Sequence, residues 1–285
     1  MSQYMMGTQI PYLRACNALR WEVGTGCSNT PDVCAVKATE AGCWAEKLAR
    51  EKVCKGPCRT TACPNHEEHE LYCTGYRNAF APTFHRDALP ALKRLRRPRN
   101  IAVGFGGDFT CLPVEDRMRM WEAMVEDERH LYITLTKAPE RLTRQEEDLI
   151  IEHLVGRLWF GVSLTGDAER TESIAHMMAE KHLYLSGLDY WASVEPILEP
   201  PTDYSYRHDY SFVVLGALTD GKGRVVPVEE GGSKPEDIEA WVEWLDLGDY
   251  PELAICLKRG VPKRGHVNTI PQEWLVRAKD VSEGR

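Results

Sequence analysis

The stretch "NIAVGFGGDFTCLPVEDRMRMWEAMVEDERHLYITLTK", residues 100–137, carries a complete strand–helix–strand unit. It opens on a short apolar run that ends in glycines (100–107). A segment with apolar residues at helical spacing follows (113–128), and then a second strand-like run (130–137). The alternation continues downstream. Helices are expected over 138–154 and 166–181, and strands over 157–165, 189–197 and 210–217. A helix over 233–248 is entered by Ser233 with Pro235 in its first turn, and a last buried strand covers 252–260. With 18–26 as the first strand, the pattern gives about seven strands. This spacing predicts a parallel sheet with right-handed crossovers. The near-continuous apolar runs predict strands covered on both faces. The expected fold is α/β, a partial or full (β/α) barrel, with a doubly wound open sheet as the alternative. Residues 1–262 would form the barrel, interrupted by a Cys/His-rich insertion at 50–75, and 263–285 a surface extension.

The chain has 285 residues, enough for one large domain. Its net charge of −8 argues against indiscriminate binding to phosphate backbones. The N-terminal "MSQYMMGTQIPYLRACNALRW" lacks a basic segment followed by an apolar one, and no apolar run approaches the length of a membrane span. The expectation is a cytoplasmic protein without membrane attachment. In that compartment structural disulfides are rare. The ten cysteines therefore point to metal or cluster ligation, above all because eight of them fall in the first 73 residues.

Chemistry in either expected architecture sits at the carboxyl ends of the strands. That singles out Cys27 and its loop, Gly106, Gly107, Asp108, Thr136, Lys137, Ser163, Thr165, Glu195, Gly216 and Lys258. Cys27, Cys34 and Cys43 follow the first strand with the spacing C-x6-C-x8-C. Three thiolates on one loop suit a 4Fe–4S cluster that leaves one iron open. A zinc site or unligated thiols are the alternatives that spacing alone leaves.

The segment "TGC…GCWAEKLA" at 25–49 resembles the phage-encoded branch of the radical SAM proteins, whose cysteine motif opens W-x-x-x-T-G-C and ends C-Y-A-E-like. The resemblance continues through "APTFHRDALPALKRLRRPRNIAVGFGGDF" (81–109), "LYITLTKAPERL" (131–142) and "LWFGVSLTGDAER" (158–170). It then runs on through "WASVEPILEP" (191–200), "FVVLGALTDG" (212–221) and "LAICLKRGV" (253–261). It implies a partial barrel with a 4Fe–4S cluster on Cys27, Cys34 and Cys43. S-adenosylmethionine would bind the open iron, and reduction by an electron donor protein would generate a 5′-deoxyadenosyl radical. It also implies that Gly106, Gly107 and Asp108 face the cofactor's amino group, and that Ser163, Glu195 and Lys258 line the cavity as cofactor or substrate contacts. A nucleobase, nucleotide or DNA substrate follows from the family's phage association, which also implies the host cytoplasm as the location. Family members place two residues between the last two cysteines, whereas eight separate Cys34 from Cys43. Either the loop carries an insertion or another residue is the middle ligand.

A second group, "CKGPCRTTACPNHEEHELYC", holds Cys54, Cys58, Cys63 and Cys73 with His66 and His69. Its composition reads as metal binding: zinc, with the histidines as alternate ligands, or an auxiliary iron–sulfur cluster. The basic stretch 85–99, with Lys93, Arg94, Arg96, Arg97 and Arg99, reads either as a phosphate-contacting edge or as a solvated corner. Trp121, Trp241 and Trp244 are expected in the core. A zinc-stabilised nucleic-acid-binding protein without radical chemistry is the competing functional expectation.

Overall fold

The computed structural model describes residues 4–8, 10–30, 33–34, 42–43, 46, 80–164, 171–174, 176–177, 187–201, 210–219, 224–246, 253–258, 260–262 and 269–275. The Cys/His-rich group with Cys54, Cys58, Cys63, His66, His69 and Cys73 lies outside the described residues, as does Thr165.

The elements in chain order are β1 (Met5–Gly7), α1 (Pro11–Ala15), β2 (Leu19–Trp21), β3 (Gly24–Thr25), β4 (Thr83–Phe84), α2 (Pro90–Lys93), β5 (Asn100–Val103) and α3 (Val114–Glu126). They continue with β6 (Leu131–Thr136), α4 (Arg144–His153), β7 (Leu158–Ser163), β8 (Asp189–Ile197), β9 (Phe212–Ala217), α5 (Pro235–Asp246) and β10 (Ala254–Leu257). Eight strands form one sheet in the order β1-β2-β5-β6-β7-β8-β9-β10. Only β1 pairs antiparallel, and β2 and β5 to β10 are parallel throughout. The parallel strands lie side by side in the order in which the chain makes them. A doubly wound sheet requires a reversal of strand order, and none occurs here. The observed order is compatible with a partial barrel.

Alternation along the strands separates two apolar layers. Ile101, Val103, Tyr132, Phe160, Val162, Tyr190, Ala192, Val194, Val213, Leu215 and Leu257 share one layer with Met120, Trp121 and Met124 of α3, Ile150 of α4, and Trp241, Val242 and Trp244 of α5. Among the described residues, α3, α4 and α5 therefore cover the same face. The intervening residues Ala102, Ile133, Trp159, Trp191, Phe212, Val214 and Cys256 face the other way. There they pack with Tyr12 and Leu13 of α1 and with Trp274. Trp274 lies in the segment expected to be a surface extension, yet it is fully buried, and its carbonyl accepts from Asn100 Nδ2 at 2.8 Å.

Local sequence signals set the element ends. The expected helix over 138–154 begins only at Arg144. Thr143 and Glu146 form a reciprocal capping box, so the turn at Pro139–Arg141 stays outside the helix. The expected first strand, 18–26, divides: β2 joins the main sheet, while β3 turns away to pair with β4. In the basic stretch, Lys93 pairs with Glu126 at 2.7 Å on the surface.

Candidate functional site

The face opposite the long helices changes character along the strands. Its amino-terminal part is a floor of stacked rings. Trp191 lies parallel to Phe105 at a centroid distance of 6.4 Å and edge-on to Trp274 at 6.3 Å, and its Nε1 donates to the Thr134 carbonyl at 3.1 Å. Gly161 leaves the space the Trp191 indole fills, since a Cβ there would collide with it. Further along the same strands the residues on this face are polar: Glu22, Lys137, Ser163, Ser193, Glu195 and Lys258, and Arg20, level with Ala102 on β5, pairs with Glu22. This is the carboxyl edge of the parallel sheet, where loops bring functional groups together.

At this rim Lys258 donates to both carboxylate oxygens of Glu195, at 2.5 and 2.6 Å. The two side chains come from β8 and the end of β10 and meet across β9. Gly216 of β9 makes that possible, because a Cβ there would press on the Glu195 side chain. The Lys258 ammonium also lies 5.8 Å from the Tyr12 ring centre. Burial, followed by the Glu195 charge, pushes the Tyr12 phenol well above its ordinary range, so it stays neutral. Lys137 Nζ donates to Ser163 Oγ at 2.7 Å. Arg20 pairs with Glu22, whose carboxyl is raised by burial against the opposing effect of Arg20. Gly106 approaches Glu22 so closely that any Cβ would strike the carboxylate.

The cysteine loop is fixed to this rim by backbone. Gly26 and Gly107 form a parallel bridge; a Cβ on Gly107 would collide with the Gly26 main chain, and one on Gly26 with the main chain of Phe80 and Ala81. Asp108 then ties three loops together. Its Oδ1 accepts from Thr110 N (3.2 Å), Thr110 Oγ1 (2.8 Å) and Thr136 Oγ1 (2.7 Å). Its Oδ2 accepts from Asn29 Nδ2 (2.8 Å) and Lys137 N (2.9 Å). With five internal donors, the carboxylate is committed to holding the rim in shape.

Cys27 is half-buried beside Cys111, with the two sulfurs 3.8 Å apart. The Asn29 N–H donates to Cys27 Sγ at 3.3 Å, and Arg141 Nη1 donates to Cys111 Sγ at 3.2 Å and to Asn29 Oδ1 at 2.7 Å. The contact with Cys27 lowers the Cys111 thiol, and the same contact together with burial raises Cys27. Cys34 is buried and Cys43 half-buried. Among the described residues, no group of three or more His, Cys, Asp or Glu side chains converges in a way that could hold a metal ion.

Arg117 holds this arrangement from behind. It is buried, pairs with Glu146 through Nε (2.7 Å) and Nη2 (2.8 Å), and donates to the carbonyls of Thr110, Leu112 and Arg141. It thereby anchors the backbone on both sides of Cys111 as well as Arg141. Sequence reasoning picked out Cys27, Gly106, Gly107, Asp108, Lys137, Ser163, Glu195, Gly216 and Lys258, all of which lie at this edge. It missed Asn29, Cys111, Arg117 and Arg141. Cys111 stood alone in the sequence, 84 residues from Cys27. Arg141 lay within "LYITLTKAPERL" without a partner to suggest its role.

Among the described residues, no helix is long and apolar enough to cross a membrane. No curated protein and no solved structure matches the chain. Residues 8–241 match the model of a family described as "Protein of unknown function (DUF5131)", and the chain belongs to that family.

Proposed function

We propose that the protein is a radical SAM enzyme whose reaction site is the carboxyl rim of the parallel sheet. The observation that carries the reading is the bridge between Gly26 and Gly107. It fixes the Cys27 loop against the "FGGDF" strand end, on the rim that also bears Ser163, Glu195 and Lys258. The donor chemistry supports an iron–sulfur cluster: the Cys27 thiol is half-buried, with a backbone N–H aimed at its sulfur. Cys27, Cys34 and Cys43 would hold the 4Fe–4S cluster. When bound, the cluster and S-adenosylmethionine supply a 5′-deoxyadenosyl radical after transfer of one electron from a donor protein.

The chain's own groups then position and shield. Gly106 and Gly107 let this main chain lie against Glu22 and the Cys27 loop, and Asp108 keeps it rigid through its five donors. Glu195 and Lys258 bring an ion pair to the rim, and Lys137 with Ser163 an ammonium bonded to a hydroxyl. The Lys137 ammonium, bonded to a neutral hydroxyl, suits an anionic substrate, and a nucleotide or a nucleobase in DNA is the class proposed. The aromatic floor below excludes water.

Protein prepared without oxygen and supplied with iron and sulfide is expected to be brown. On reduction with S-adenosylmethionine it should release 5′-deoxyadenosine. A colourless protein that holds only zinc and binds DNA with a salt-dependent affinity indifferent to S-adenosylmethionine would overturn the proposal in favour of a nucleic-acid-binding protein.

A further inference from the structure

We infer that Cys27 and Cys111 together bind a single thiophilic divalent ion. Two thiolates on one tetrahedral ion, each bonded at about 2.3 Å, stand about 3.8 Å apart. The observed separation of the sulfurs is 3.8 Å. A disulfide would bring them to about 2.0 Å. The sulfurs come from two distant parts of the chain, the loop after β3 and the turn at Phe109–Cys111 after β5. They are held at this separation by groups that do not belong to either thiol.

Groups around the pair fix both sulfurs in place. The Asn29 N–H donates to Cys27 Sγ at 3.3 Å, and the Arg141 guanidinium donates to Cys111 Sγ at 3.2 Å. Donors of this kind around the sulfurs are what metal-bound thiolates require. Arg117 fixes the carbonyls of Thr110 and Leu112 on either side of Cys111, so the second thiol cannot drift away. The Cys111 thiol also lies 3.3 Å from Asn29 Oδ1. Its proton leaves when the ion binds, and Arg141 Nη1, at 2.7 Å from that same oxygen, keeps Asn29 in place. The remaining positions on the ion are open to solvent or to another thiol of the loop.

This site shares Cys27 with the radical reading, so the ion and the cluster exclude each other at that thiol. A cubane cluster would hold Cys27 through one of its irons, with each thiolate on its own iron. A single ion shared with Cys111 is therefore an alternative occupant of Cys27, and Zn2+, Co2+ and Fe2+ are the ions whose ligand preferences match.

The test is titration of reduced, chelator-treated full-length protein with Co2+ in the absence of oxygen. The wild type is expected to bind one more cobalt per chain than Cys111→Ala. The difference spectrum should show thiolate-to-cobalt charge transfer and the visible bands of a tetrahedral ion. Cys27→Ala should give the same difference. Any cobalt taken up by the 50–75 segment appears in all these proteins and cancels, and Cys256→Ala should match the wild type. Cys111→Ser keeps the volume if the alanine variant folds poorly. In the unaltered protein, saturating Zn2+ should protect Cys27 and Cys111 together from alkylation, read peptide by peptide in a mass spectrometer. Equal cobalt stoichiometry and equal spectra for the wild type and Cys111→Ser would overturn the inference, as would full alkylation of Cys111 in the presence of zinc. Neither readout uses S-adenosylmethionine or a reduced cluster, so its failure leaves the radical proposal standing, and the reverse holds too.

Discussion

The same face of the sheet is built in two opposite ways along its strands. Near the amino ends, Trp159, Trp191, Phe212, Tyr12 and Trp274 fill it with interlocking rings. Near the carboxyl ends it carries Glu22, Lys137, Ser163, Glu195 and Lys258, each engaged with another polar group. The floor is what a folded core needs. The rim is not: placing charged groups in a partly buried space costs solvation that the ion pairs at best offset. The rim gathers such groups on the edge where parallel sheets of this kind bring functional residues together.

The comparison breaks most visibly at the floor. Trp191→Ala removes a fully buried indole and its bond to the Thr134 carbonyl, and is expected to cost about 3–5 kcal/mol in denaturant unfolding. Arg117→Ala should cost a similar amount, about 3–5 kcal/mol, because Glu146 is then left charged and buried. It should also abolish metal uptake at Cys111, whose flanking carbonyls it holds, and Trp191→Ala should not do so in molecules that remain folded.

Asp108→Ala orphans donors from three loops and is expected to cost about 2–3 kcal/mol, with Asp108→Asn milder. Rim substitutions should behave differently. Lys258→Met and Glu195→Gln are expected to move stability by no more than about 1 kcal/mol while eliminating turnover. A large stability loss there would mean that the rim is structural after all.

The smallest expected effect concerns pH. Burial raises Glu146, but the bonds from Arg117, Thr143 and Trp121 outweigh it, and the net shift is downward. A carboxyl depressed in the folded state adds stability above its unfolded pKa and loses it as pH falls through the folded value. Glu146→Gln should therefore flatten the acid limb of the stability profile and lower the plateau at neutral pH.

Much of this was legible in the chain. The seven parallel strands follow from apolar runs that end in polar or glycine residues, and the residues at those endings do gather at one edge. Three features were hidden for physical reasons. β1 is only Met5–Gly7, too short to show a period. Trp274 sits in a polar tail, so its burial depends on tertiary packing against Trp159 and Phe212 that no local pattern encodes. Cys111 meets Cys27 only because β2 and β5 are neighbours and the Gly26–Gly107 bridge draws their loops together. The Thr143–Glu146 capping box, by contrast, was present in the sequence and sets the start of α4 more accurately than apolar spacing does.

The central claim is that the rim supports radical chemistry through the Cys27 loop. The direct measurement is 5′-deoxyadenosine released from S-adenosylmethionine by anaerobically reconstituted, reduced protein, compared between the wild type and Cys27→Ala. The account predicts steady release from the wild type and none from the variant at equal folded concentration. Equal yields from both proteins, or none from a wild type shown to carry a 4Fe–4S cluster, would contradict it.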